Sequence, residues 1–165
     1  MLPVVIGTNP ERKPWLDECL ASIRATSSRR RRVHIHETGG YEPAAIRTGC
    51  SKFERFLFLH DSVTILHRDF WDIIDASGPA WLAGWPPMFL GIFNAADIEP
   101  LLPTYEVSKR ESCDLEGALP HRLHMPTLWP DVVDTTALRR EDRHGRDNLV
   151  LGVEGVWEKH KGTWS

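Results

Sequence analysis

Apolar residues along this chain recur with two periods, and the switches between them lay out its elements. Pro3–Thr8 (PVVIGT) predicts a short buried strand, broken by Asn9-Pro10 because a residue ahead of proline is pushed out of the helical region. From about Pro14, the residues Trp15, Leu16, Cys19, Leu20 and Ile23 fall at helical spacing with one buried face. Asp17 and Glu18 lie in the first turns, where the helix dipole favours acids. Arg32–Glu37 alternates, with Val33 and Ile35 to one side and His34 and His36 to the other, which marks a second strand. Thr38-Gly39-Gly40 turns the chain into a second helix over Pro43–Phe53.

The strongest signal is Phe53–Leu66, FERFLFLHDSVTIL. Four apolar residues in succession, Phe56-Leu57-Phe58-Leu59, need burial on both faces and predict a central strand of a covered sheet. His60-Asp61-Ser62 ends the run abruptly. Asp61 then has two readings. It turns the chain or caps the next helix, or it stands beyond the carboxyl end of a sheet strand, where open α/β sheets bind ligands.

Downstream, Arg68–Asp75 predicts a short helix with Phe70, Trp71, Ile73 and Ile74 on its apolar side. Trp81–Trp85 and Met88–Phe93 read as two strands separated by Pro86-Pro87. Ala95–Leu102 is a short helix stopped by Pro103, and Ser108–Leu119 a helix carrying an acidic cluster. From Pro126 the periodicity fades, so the tail is expected to wrap the sheet and to include a flexible loop around Arg139–Asp147. Strand–helix alternation followed by mixed elements indicates a single α/β domain, a mixed and mostly parallel sheet flanked by helices.

Composition narrows the class. A chain of 165 residues with 41% hydrophobic and 26% charged residues buries a sizeable core without staples. A net charge of −3 argues against nonspecific nucleic-acid binding by the whole surface. The run Arg29–Arg32 is a local exception, read as a solvated loop or as a contact for an anionic polymer, membrane or partner. Three cysteines (Cys19, Cys50, Cys113) without CxxC spacing fit buried thiols in a reducing compartment better than a disulfide framework. With no 18-residue apolar run and a first strand begun by residue 4, a soluble cytoplasmic protein is expected. Seven tryptophans are many for this length; they belong to the core or stack on bases or sugars near a cleft.

Polar groups follow each of the early strands: Thr8-Asn9, then Glu37, then His60-Asp61-Ser62. If those strands are parallel neighbours, the three groups converge on one edge. There they suit a nucleotide, with polar groups for the base, a carboxylate for ribose hydroxyls and an acid near phosphates or their metal ion. His34-x-His36 resembles the zinc pair of some hydrolases but lacks further ligands. No HExxH, GxGxxG, P-loop or GxSxG pattern is present.

The segment VVIGTNPERKPWLDECLASI resembles the opening of family-2 glycosyltransferases, a strand and polar turn before a helix of the type RPxxLxxCLxSI. FLFLHDSV resembles their nucleotide-sugar strand, which ends in an Asp-x-Asp or His-Asp-Asp pattern. FLGIFNAADIEPLLPTYEVSKRESCDLEGALPHRL resembles their acceptor half, where an acidic segment similar to ED-x-DL ends in an Arg-Leu pair. WEKHKGTW is similar to the late histidine segment that closes over the donor diphosphate. The four segments occur in the family's order across most of residues 3–165.

This resemblance implies a GT-A (Rossmann-like) fold, a nucleotide-sugar donor, most simply a UDP-sugar, and Mn²⁺ or Mg²⁺. Residues 1–75 would form the nucleotide-sugar half, 76–125 the acceptor half and 126–165 a wrapping tail. Thr8 and Asn9 would line the nucleoside pocket, with Glu37 and Gly39 beside the uracil or ribose. Asp61 and Ser62 would face the ribose, the diphosphate or the metal. Asp114, then Glu116 and Glu111, are the candidate bases. His160 would approach the metal, with Lys159 and Lys161 at the diphosphate. Asp61 stands between His60 and Ser62, so the two-carboxylate clamp of the family is reduced to one acid. The metal would then be held by Asp61, donor phosphates and water with His160 completing the site, or the diphosphate would be neutralised by Lys159, Lys161 or arginines. The expected activity is hexosyl transfer, with inversion, to an acceptor hydroxyl on a glycan, a small molecule or a modified nucleic acid. The alternative is a catalytically inert nucleotide-sugar or glycan-binding module on the same fold.

Overall fold

Phe56, Leu57, Phe58 and Leu59 are all fully enclosed, and the layers that enclose them are the plan of the fold. The computed structural model of the chain describes residues 1–37, 41–84, 89–132 and 149–160. In chain order these form β1 (Val4–Thr8), a 3-10 turn (Pro10–Arg12), α1 (Lys13–Thr26), β2 (Val33–Glu37), α2 (Tyr41–Lys52) and β3 (Arg55–His60). Next come β4 (Val63–Ile65), α3 (Asp69–Ala76), β5 (Ala80–Ala83), β6 (Gly91–Asn94) and α4 (Ala95–Ile98) with a 3-10 turn. The chain continues through α5 (Lys109–Arg122), β7 (Thr127–Trp129), β8 (Leu149–Val153) and β9 (Trp157–His160).

Six strands make one mixed sheet in the order β2-β1-β3-β6-β5-β7. β1 runs parallel to both β2 and β3, β6 is antiparallel to β3 and β5, and β7 is parallel to β5. Because side chains alternate along a strand, Leu57 and Leu59 join Val4, Ile6 and the α1 stripe Leu16, Cys19 and Ile23 on one face. Phe56, Phe58 and Val5 meet Ala45 and Ile46 of α2 and Leu119 of α5 on the other. Burying each large apolar side chain stabilises by roughly 1.5–3 kcal/mol, so β3 anchors both layers. α2 approaches so closely that a Cβ at Gly49 would stand 2.7 Å from the Phe56 ring, and glycine is what allows the contact.

The central strand ends at His60, where the sequence marks its end. At Asp61-Ser62 the chain leaves the main sheet and enters a second, antiparallel sheet of order β4-β9-β8. The tail expected merely to wrap the sheet builds structure: β7 extends the main sheet, and β8 and β9 form most of the second. The strand expected over Trp81–Trp85 ends at Ala83, and the one expected from Met88 begins at Gly91, after Phe89 at a φ of 58°. Residues 139–147, where a loop is expected, lie outside the described residues, as do Gly39 and Lys161.

Most of the tryptophan excess is core. Trp71, Trp81 and Trp157 are buried, and Trp129 stacks on Phe70 with centroids 5.8 Å apart. Burial, with the Asp61 charge second, pushes the Cys19 thiol up to about 12, and burial likewise raises Cys50 to about 11. Both are poor nucleophiles at neutral pH. Cys113, expected to be buried, is exposed on α5 instead.

Half of the arginine run is structural. Arg31 forks onto Asp75 at 2.9 and 2.7 Å and lies 3.9 Å over the Trp71 ring, while Arg32 faces the Phe53 ring at 5.0 Å. Burial pushes the Asp75 carboxyl up, but hydrogen bonds from Arg31 and the Leu2 N–H, together with the Arg31 charge, outweigh it and hold it below 3.8. A depressed native value means that the pair's contribution is complete above the unfolded value and lost as pH falls through the native one. Urea midpoints of wild type and Asp75→Asn should therefore differ near pH ~5 and converge towards pH ~2. A gap that persists unchanged in acid would contradict this account.

Candidate functional site

The parallel pairing of β1 with β2 and β3 sets their carboxyl ends side by side. Thr8 pairs with Glu37, and Gly7 pairs with His36 on one side and His60 on the other. The three polar groups that follow these strands thus share one edge of the sheet. Glu37 is exposed there. Asn9 is spent on local structure: its Oδ1 accepts the Glu11 N–H at 3.1 Å and caps the 3-10 turn.

Asp61 forms the centre of the edge and is only 2% exposed. Arg12, at the end of the 3-10 turn, donates from Nε to Oδ2 at 2.7 Å and from Nη2 to Oδ1 at 2.6 Å. Thr8 Oγ1 donates to Oδ2 at 2.8 Å. Such a planar fork is the strongest ion-pair geometry that side chains make. Arg12 went unassigned in the sequence, where Arg12-Lys13-Pro14 reads only as the lead into α1. Nothing in local spacing marks a pair 49 residues apart.

Ser62 turns its carbonyl outward to accept the His160 N–H at 3.0 Å. Its hydroxyl is buried, with no hydrogen-bond partner among the described residues. β9 runs along the chain just beyond, with Lys159 opposite Val63 and 4% exposed. The His160 ring stacks on Trp15 of α1 at 6.1 Å, and its Nε2 lies 2.9 Å from Glu158 Oε1.

These contacts bear on a divalent cation. Asp61 Oδ1 accepts from the Arg12 guanidinium and Oδ2 from both that guanidinium and the Thr8 hydroxyl, and the His160 imidazole faces Glu158. Among the described residues no three His, Cys, Asp or Glu side chains gather as a ligand set. The donor set at Asp61 does not fit Mn²⁺ or Mg²⁺ in this arrangement, because a cation there would have to displace Arg12.

The acidic helix α5 approaches the same edge through a different network. Ser112 Oγ donates to Glu42 Oε2 at 3.1 Å, and Glu42 Oε1 lies 3.7 Å from His60 Nδ1. His60 itself packs edge-on against Phe58. Of the candidate bases, Glu111 is held in a capping box. Its Oε2 accepts the Ser108 N–H at 2.7 Å, and its own N–H donates to Ser108 Oγ at 3.3 Å. The hydrogen bond from the Ser108 backbone, then that with its side chain, lowers the Glu111 carboxyl, which makes it a weaker proton acceptor. The signature Ser-x-x-Glu is legible in the sequence as a cap. Asp114 is exposed, whereas half-buried Glu116 lies one turn beyond Ser112 on the stripe that meets Glu42.

Set against protein-family models and curated proteins, the chain matches none. Among the described residues no helix is long and apolar enough to cross a membrane.

Proposed function

We propose that this protein is a nucleotide-sugar transferase of GT-A type, the reading first suggested by its resemblance to family-2 glycosyltransferases. One observation carries the proposal: Thr8, Glu37 and Asp61 stand together at the carboxyl ends of three neighbouring parallel strands. That is where open α/β sheets hold nucleotides, at the edge where helix N-termini also gather. Glu37 would take the ribose or base, Thr8 and Asn9 the wall of the nucleoside pocket, and Lys159 and Lys161 the side of the diphosphate.

In the reaction an acceptor hydroxyl oxygen bonds to the anomeric carbon as the bond from that carbon to the phosphate oxygen breaks. The electron pair leaves with the nucleoside diphosphate, and the hydroxyl proton passes to a carboxylate, a contribution of about 10²–10⁴-fold. Glu116 is the base favoured by position, ahead of exposed Asp114. Glu111 serves the helix cap.

The test is thermal stabilisation by UDP- and GDP-sugars, followed by nucleoside-diphosphate release with and without acceptors. Stabilisation with release, lost in Glu116→Gln, is the expected result. Binding without release or slow donor hydrolysis points to the inert sugar-nucleotide module. Failure of every nucleotide sugar to bind removes the proposal.

A further inference from the structure

We propose that this protein forms a two-fold dimer through the outer edge of β2, which pairs antiparallel with the same strand of a second copy about Ile35. The inference does not rest on the nucleotide-sugar reading.

Among the described residues β2 lies at one end of the six-stranded sheet, and its five residues pair with β1 from Val33 to Glu37 without a bulge. No proline or lysine interrupts it, and such an edge is a template for another strand. At the other end of the sheet β7 has only three residues. Which backbone groups β2 offers follows from β1. The Val4 N–H donates to the Arg32 carbonyl at 2.8 Å, so in this parallel ladder Arg32, His34 and His36 turn their backbone groups towards β1. Val33, Ile35 and Glu37 turn theirs outward.

Those three residues are spaced for self-pairing. With Ile35 opposite the second copy's Ile35, Val33 falls opposite Glu37 and Glu37 opposite Val33. All are then hydrogen-bonded pairs of an antiparallel ladder, each exchanging both N–H···O bonds. A shift by two residues leaves one of the three without its pair.

The side chains agree with that register. Ile35, 38% exposed, is the one large apolar residue on a strand that stays exposed among the described residues, and at the two-fold axis it covers its own copy. On the other face His34 comes opposite the second copy's His36. Burial, then the nearby Lys52 and His36, holds the His34 imidazole below 6.5, which favours its neutral form there. Charge selects the direction and the partner. Exposed Arg29 and Arg30 lead into β2, and exposed Glu37 ends it. An antiparallel copy sets a basic lead beside an acidic end at both ends of the ladder, whereas a parallel neighbour would set like beside like. The two basic leads lie about 30 Å apart, well beyond the screening length of ~8 Å.

The test is sedimentation equilibrium of the full chain from micromolar to near-millimolar concentration, for wild type, Ile35→Lys and Glu37→Arg. Circular dichroism melts confirm that each is folded. Wild type should follow a monomer–dimer equilibrium. Ile35→Lys, which opposes two lysines at the axis, should raise the dissociation constant at least about tenfold, and Glu37→Arg about threefold. A disulfide reads the register. In a Cys113→Ser background, which removes the exposed thiol, Ile35→Cys should cross-link two chains under mild oxidant. The Cα atoms of a hydrogen-bonded pair lie about 5.5 Å apart, within disulfide reach. Ile73→Cys, equally exposed at 38% but on α3, should not cross-link. A chain that stays monomeric throughout overturns the inference. So does a dimer indifferent to Ile35→Lys or to Glu37→Arg, or one that cross-links no better through Ile35→Cys than through Ile73→Cys. Assemblies that grow past two copies also overturn it, because pairing about the axis uses up the β2 edge.

Discussion

Trp157→Ala is expected to lose about 3–5 kcal/mol of stability, the range for removing a large buried aromatic ring. The side chain is fully enclosed, although β9 belongs to the part of the chain with the weakest pattern. Its ring lies 5.6 Å from that of Trp129 and 6.4 Å from that of Phe70, so one residue joins the second sheet, β7 and α3. Removing it leaves a cavity at a three-way contact, where no single element can move in to close it. β9 is the middle strand of the second sheet, and the same substitution should raise hydrogen exchange in β4 and β9 before the main sheet opens. Urea denaturation checks the magnitude, with Trp157→Phe recovering most of the loss. A cost below about 1 kcal/mol would mean that the second sheet is not packed on the core through this ring.

Asp61→Ala carries the second large effect, a loss of about 3 kcal/mol. The substitution takes the carboxylate fork away from the Arg12 guanidinium, whose side chain is only 19% exposed, and removes the acceptor of the Thr8 hydroxyl. Taking one charge from an enclosed pair costs more than removing both. The double variant Asp61→Ala/Arg12→Ala should therefore be more stable than Asp61→Ala alone. Equilibrium urea unfolding of the four forms gives the coupling directly. Strictly additive losses would show that the fork contributes nothing to folding. The expected coupling measures what the pair contributes to holding the strand ends together.

Much of the main sheet was legible because its signals are local. Phe56-Leu57-Phe58-Leu59 had to be covered on both faces, and it is. The alternation in β2 assigned His34 and His36 to one side, and Thr48 Oγ1 on α2 lies 3.1 Å from His36 Nδ1 on that side. The stripe of Leu16, Cys19 and Ile23 marked the buried face of α1 within one residue of its true start. Glu111 carries a second local signal: Ser108 three residues ahead of it defines a cap, and the helix uses it so.

β4 and β7 escaped because three residues show no period, and each becomes a strand only when a distant segment supplies its hydrogen bonds. Val63 pairs with Lys159, almost a hundred residues away, and no composition or spacing connects them. The candidate site divides along the same line. The sequence by itself determined that polar groups follow three apolar strands, because strand ends are set by local pattern. Only the tertiary structure decided that those ends are neighbours. It also decided that Asp61 is sealed beneath Arg12 and that Ser112, Glu42 and His60 tie α5 to the same edge. Those facts depend on which strands pair in parallel and on polar groups meeting across 49 and 70 residues of chain, and the free energy that selects such contacts is won only when the whole core closes.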